Sequence, residues 1–184
     1  MYSKTIVKIL IIVCMMGLIF QIADRITRDR YDVITDTNIE EVVAKEGIKI
    51  LAETRLNDLD KPLALLFYEK DNEIGSFDIT VVNGETNYVN SIKLDRRKER
   101  PVEFLGAKGE VTYVMILIND TKLLKEGEKL VVKFSNASSY STEIVPHVSN
   151  YIITHDRLKN REPLLTSSDI SIYSKEGDII YHNK

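Results

Sequence analysis

The sequence predicts a mainly β fold: an antiparallel β-sandwich, immunoglobulin-like or similar, with one short helix at its start and a single apolar N-terminal helix before it. Three observations lead there. Short apolar runs recur along most of the chain, separated by Gly, Pro, Asn and Asp, which is the punctuation of strands. Asn83-Gly84 stands between an alternating run and a second one, the strongest short-range hairpin signal. Ile9 to Phe20 is apolar without interruption, whereas a helix packed on a small soluble core keeps a polar stripe.

In chain order, residues 1–23 come first, as a signal anchor or transmembrane helix. Lys4 and Lys8 lead into ILIIVCMMGLIF, and Gln21, Ile22 and Ala23 extend it. A charged start before an apolar stretch is the layout of an export signal. Ile6 to Ala23 counts 18 residues, just enough to span a bilayer with Lys8 snorkelling at its end. Retention is favoured over cleavage near Ala23, which would give a secreted product, because Gln21 occupies a position that wants a small side chain. Ile11-Ile12-Val13-Cys14 comes near a lipobox, but branched Val13 stands where Gly, Ala or Ser belongs, so Cys14 is read as a packing residue. Gly17 has no small partner four residues away, so helix association finds little support. Lys and Arg flank both ends of the segment and set no clean orientation. The short N-terminal tail and the signal-like layout place the following domain outside the cytoplasm, as a single-pass protein of the cell membrane.

Residues 24–35 are charged and without period, and read as a juxtamembrane linker. Residues 36–184 then form one soluble β-rich domain, a length that suits a single core. Residues 1–30 carry a net +3, so the total of −3 leaves about −6 on the remainder. That acidic balance argues against nucleic acid, whose binding needs a basic surplus to release counterions. Cys14 is the single cysteine, so the domain has neither disulfides nor cysteine zinc sites.

Thr37-Asn38-Ile39-Glu40 has capping-box spacing, Ile39, Val42 and Val43 share a face, and Gly47 sits where a helix C′ glycine belongs; together they predict a helix of about ten residues. Strands follow. Leu63 to Tyr68 is one apolar run; Phe77, Ile79 and Val81 alternate into Asn83-Gly84. A two-residue turn there pairs Val82 with Glu85, Ile79 with Tyr88 and Phe77 with Asn90, with Ile92 and Leu94 continuing the apolar face. Val111 to Ile118 is apolar nearly throughout, so it should be covered on both faces. Lys125-Glu126-Gly127 and Lys175-Glu176-Gly177 both suggest three-residue hairpins with glycine in the left-handed conformation. Eight to ten short strands are expected in all, with no internal repeat.

The densest charge run, Asp95-Arg96-Arg97-Lys98-Glu99-Arg100 with Lys93 before it, supplies the candidate ligand site: Lys93, Arg96, Arg97, Lys98 and Arg100 on a loop could hold an anionic headgroup or polymer. The competing account is a solvated loop whose field Asp95 and Glu99 damp. His147, His155 and His182 have no second ligand at metal spacing, and no Gly-x-Ser-x-Gly elbow accompanies the serines. Asn57-Asp58-Leu59-Asp60 lacks the glycine and distal glutamate of a calcium loop. No Gly-rich phosphate loop is present, and no cofactor or metal is expected. Tyr140, Tyr151, Tyr173 and Tyr181 either line a binding face or finish a sandwich edge with wet hydroxyls. Asn119-Asp120-Thr121 and Asn136-Ala137-Ser138 match the glycosylation sequon.

These features predict a non-enzymatic module tethered through residues 6–23, with another envelope or membrane protein, or an envelope component, as partner. The alternatives are a structural subunit of a membrane complex, or a hydrolase whose site converges only in the fold.

Overall fold

The computed structural model describes residues 15–17, 29–108, 111–134, 138–155 and 168–183. Residues 15–17 are helical; the rest of the apolar segment lies outside the described residues. Among the described residues no helix is long and apolar enough to cross a membrane. From Tyr31 onward the chain is mainly antiparallel β, with twelve strands and two short helices among the described residues. The two strands beyond the expected number include β1 (Tyr31–Asp32) and β9 (Ser139–Glu143), neither of which carries an apolar run.

Helix α1 (Asp36–Glu46) ends at Gly47 in the left-handed conformation, whose N–H donates to the Val43 carbonyl at 2.9 Å. Its start corrects the expected cap. Thr35, not Thr37, is the N-cap, because the Asn38 Oδ1 accepts the Thr35 backbone N–H at 2.9 Å and fills the role assigned to Glu40. Ile39 and Val42 are buried.

The first sheet is organised around β4 (Glu73–Val82). One edge pairs with β5 (Glu85–Asp95) along its whole length; the other is shared by β3 (Leu63–Lys70) and, past the end of β3, by β1. β2 (Lys49–Leu56) lies beyond β3. The second sheet has the order β10 (Asn150–His155), β7 (Thr112–Ile118), β6 (Val102–Lys108). The third runs β12 (Ile179–His182), β11 (Ser168–Ser174), β8 (Gly127–Phe134), β9, with α2 (Thr121–Glu126) leading into β8.

Three apolar clusters join these parts. Ile39 and Val42 of α1 meet Leu66, Phe77 and Ile79 on one face of the first sheet. Its other face, with Leu65, Phe67 and Ile74, meets Leu105, Tyr113, Met115 and Leu117 of the second. Val114, Ile116 and Ile118 on the far face of the second meet Leu130, Val132, Ile170 and Ile172 of the third. Every residue of β7 is buried, as its unbroken apolar run requires. Each fully covered aliphatic side chain contributes about 1.5–3 kcal/mol. Along the sides, β5 comes beside β6 and β2 beside β10.

The Asn83-Gly84 hairpin has the predicted register from Val82↔Glu85 to Phe77↔Asn90, with both turn residues at positive φ (53° and 81°), the type I′ geometry. Beyond Asn90 the register departs from expectation. Pairing jumps from Phe77↔Asn90 to Ser76↔Ile92, so Ser91 is an extra, bulged residue. Ile92 therefore turns into the cluster between the first and second sheets, and Leu94 is left 45% exposed. Gly177 has the expected positive φ of 87°, but Gly127 does not: at φ −72° it caps α2 in extended conformation. Gly127 is needed for space, since a Cβ there would lie 2.5 Å from the Leu123 carbonyl and 2.8 Å from Ile144 Cδ1.

Candidate functional site: a mixed-charge cleft at the β5–β6 loop

The charge run falls where β5 ends at Asp95 and β6 begins at Val102, and its members have different fates. Arg96 turns inward, its side chain 9% exposed, and forms an ion pair with Glu103, which is 5% exposed. Its Nε also faces Glu69 Oε1 at 3.4 Å, and its Nη2 donates to Asn119 Oδ1 at 3.1 Å. The Glu103 carboxylate accepts the Arg97 backbone N–H and the Asn119 Nδ2. Asn119 Nδ2 donates as well to the Arg100 carbonyl at 2.9 Å. Backbone bonds from Arg96 N–H to the Asn72 carbonyl and from Arg100 N–H to the Arg97 carbonyl close the turn. Two charges are thus removed from water, which is costly unless every donor and lone pair finds a partner. Here the partners converge on one loop and fix its backbone.

What that loop presents is a cleft of about 350 Å³. Lys93, Arg97 and Arg100 line it, with the carboxylates of Glu73, Asp95 and Glu103 and the apolar side chains of Ile74, Leu94 and Phe104. Lys93 pairs with Glu73 at 2.9 Å, and that hydrogen bond raises the ammonium pKa above its ordinary value. Glu103 is neutralised from behind by Arg96. Among the described residues, the guanidiniums of Arg97 and Arg100 make no salt bridge. A small positive surplus therefore faces the cleft, carried by two arginines whose backbones are held and whose donors are open. Arg100 also acts on the Tyr181 hydroxyl, opposing the rise in pKa that burial causes there. Lys98 is exposed at the turn.

Of the five cations singled out in the sequence, Lys93, Arg97 and Arg100 share the cleft, Arg96 holds the loop, and Lys98 stands clear. Glu103, which the sequence did not single out, and Asn119, which it marked only as the head of a sequon, complete the loop. Their only signal was one glutamate in the apolar stretch Val102–Ala107 and one asparagine at the end of β7. Asn119 is bonded into the loop, so the sequon it heads has a structural use; Asn136 lies outside the described residues.

The remaining candidates disperse. His155 is 1% exposed, with Nε2 2.8 Å from Ser138 Oγ and its ring set against Phe134 and Tyr140: a core histidine. Its sequence neighbour Asp156 lies outside the described residues. His182 Nδ1 meets Ser171 Oγ at 3.0 Å on the surface, and His147 sits in a turn at φ 73°. Among the described residues no three His, Cys, Asp or Glu side chains converge as metal ligands. Asn57 accepts the Ile34 N–H at 3.3 Å within a turn. Three of the four tyrosines, Tyr140, Tyr151 and Tyr181, pack in or against the core between the second and third sheets, Tyr151 with its hydroxyl donating to the Val148 carbonyl, whereas Tyr173 borders a broad depression on the third sheet.

One polar group was not foreseen. Tyr113, fully buried on β7, crosses to the first sheet, where its hydroxyl donates to Asp78 Oδ1 at 2.7 Å and meets Ser76 Oγ at 2.9 Å. Burial is the main cause of a phenol pKa well above its ordinary value.

Comparison with protein-family models, curated proteins and solved structures finds no match to the chain.

Proposed function

We propose that the chain is a membrane-tethered, non-enzymatic module that presents an anion-binding cleft on an antiparallel sandwich outside the cytoplasm, with an envelope or membrane protein as its partner. One observation carries the binding reading: Arg97 and Arg100 face a cleft with open guanidiniums, on a loop locked by a buried ion pair in which those guanidiniums take no part. Pre-organised arginines bind carboxylate or phosphate without first losing the entropy of a mobile loop. The apolar part of the lining suits a ligand whose charge sits beside a nonpolar group. The sandwich reading draws support from the three clusters, which require face-to-face contact of sheets. The tether draws support from the 18-residue stretch Ile6–Ala23.

Two measurements test this. Alkaline phosphatase fused after Lys184 should be active in cells; an inactive fusion would reverse the orientation. Cross-linking in intact membranes should capture a partner with the native chain and lose it in Arg97→Ala/Arg100→Ala. Recovery of the same lone monomer from both would sink the binding reading.

A further inference from the structure

We infer that the β5–β6 cleft faces away from the tethering membrane, and that its occupant is a carboxylate-bearing segment of a protein partner, not a headgroup of that bilayer. The inference rests on the tethered reading above and deepens it.

The chain joins the domain at the tip of the β4–β5 hairpin. β1 pairs with Val81 and Val82, Asn83 N–H donates to the Arg30 carbonyl at 2.8 Å, Arg30 N–H donates to Asn83 Oδ1 at 3.0 Å, and Gly84 N–H donates to Asp32 Oδ2 at 3.1 Å. Because β1 is antiparallel to β4, the chain followed backward from Asp32 to Arg30 heads past that tip. Residues 24–29 alone separate Ala23 from Arg30, a span of at most about 25 Å even when fully extended. The hairpin tip is therefore kept near the bilayer.

The cleft lies at the opposite end of the same hairpin, where Glu73 pairs with Asp95. Ten residues of β4 separate the two ends, about 30 Å at strand rise. Helix α1 braces the tip half of the hairpin, with Asn38 bonded to Thr86 and Glu46 to Tyr88, and the Glu46 carbonyl accepts from Lys70 of the neighbouring β3. A braced hairpin does not bend, so its far end stands away from the surface unless the whole domain lies flat, which a label at the rim would report. At that height the field of anionic lipids is screened, since the Debye length is about 8 Å at physiological salt.

The lining narrows the occupant further. Leu94 and Phe104 are 45% and 37% exposed beside the open arginines. An all-polar anionic polymer would leave both wet, whereas a peptide with an apolar residue next to its carboxylate covers them while the acid takes the guanidinium donors.

The test uses the full chain in nanodiscs, with Cys14→Ser and a single donor-labelled cysteine, either Glu85→Cys at the tip or Lys98→Cys at the cleft rim. Energy transfer to headgroup acceptors should be strong from the tip and several-fold weaker from the rim, unchanged when anionic lipid is added. In the same nanodiscs, an acetylated peptide of alternating Glu and Leu should bind, and Arg97→Ala/Arg100→Ala should weaken it at least tenfold. Equal transfer from the two sites, or an arginine-dependent rise at the rim with anionic lipid, would overturn the placement. Peptide binding untouched by the double substitution would overturn the occupant. Failure of the chain to float with the lipid would sink the tethered reading itself, and shows before any transfer is measured.

Discussion

Arg96 and Arg97 are adjacent in sequence and opposite in use, and the reason is the register of β6. Glu103 pairs with Leu117, which puts its carboxylate on the face turned toward the first sheet, and Arg96 follows it inward. A basic run shows in the sequence as a run, but which member is withdrawn depends on a partner strand that local composition does not name. Removing half of a buried ion pair leaves the other charge stranded, at a cost of about 3–5 kcal/mol. Glu103→Ala should therefore lower the unfolding free energy from urea titration by an amount of that size. Arg96→Met/Glu103→Leu should recover much of it, while Arg97→Ala should change stability little. Equal losses from Arg96→Met and Arg97→Ala would show that the clamp is not built as described. Tyr113 gives a second residue-scale test. With the folded-state pKa raised above the usual value for tyrosine, the unfolded chain ionises first, near pH 10. Stability from this group is complete below that pH and falls as pH climbs toward the folded-state value. Tyr113→Phe should cost about 1–3 kcal/mol at neutral pH, through the partners it leaves on Asp78 and Ser76, and should flatten the decline above pH 10.

Elements were legible where a local signal was unambiguous, and misread where two physical causes share one residue type. The Asn83-Gly84 turn specified its hairpin through Asn90, because positive φ at both positions leaves few other geometries. Nothing in Asn90-Ser91-Ile92 announces a bulge, since its cause is the fit of Ile92 and Ser76 against the second sheet. Lys-Glu-Gly occurs twice with different meanings. Gly177 supplies a left-handed backbone in open space, while Gly127 supplies room against Leu123, Ile144 and Ile172. Asparagine separates these causes, because it tolerates the left-handed region but carries a full side chain. Gly177→Asn should stay within about 0.5 kcal/mol of the native protein. Gly127→Ala should cost about 1–3 kcal/mol through overpacking, and Gly127→Asn more. Thermal unfolding of the three variants checks the order, and a costly Gly177→Asn would overturn the assignment.

At the scale of the molecule, the unbroken apolar run of β7 was the clearest sign of layering, since a strand buried on both faces needs a neighbour on each. The number of layers was not legible: cover on both faces was expected of VTYVMILI around β7 alone, and packing shows that LALLFY in β3 is likewise shared by two clusters. That sharing has a thermodynamic consequence. β3 contributes Leu66 to the cluster under α1 and Leu65 to the one facing the second sheet; β7 contributes Met115 to that same cluster and Ile116 to the one facing the third. Loss of any one cluster strips a face from a strand that another cluster needs, so the layers should unfold together. Leu66→Ala, Met115→Ala and Leu130→Ala, one in each cluster, should each lower stability by about 2–5 kcal/mol. All three should shift a single transition seen alike by far-ultraviolet circular dichroism and by tyrosine fluorescence. A transition in Leu130→Ala that splits in two, with the third sheet melting first, would show that the strands shared between clusters do not couple the layers.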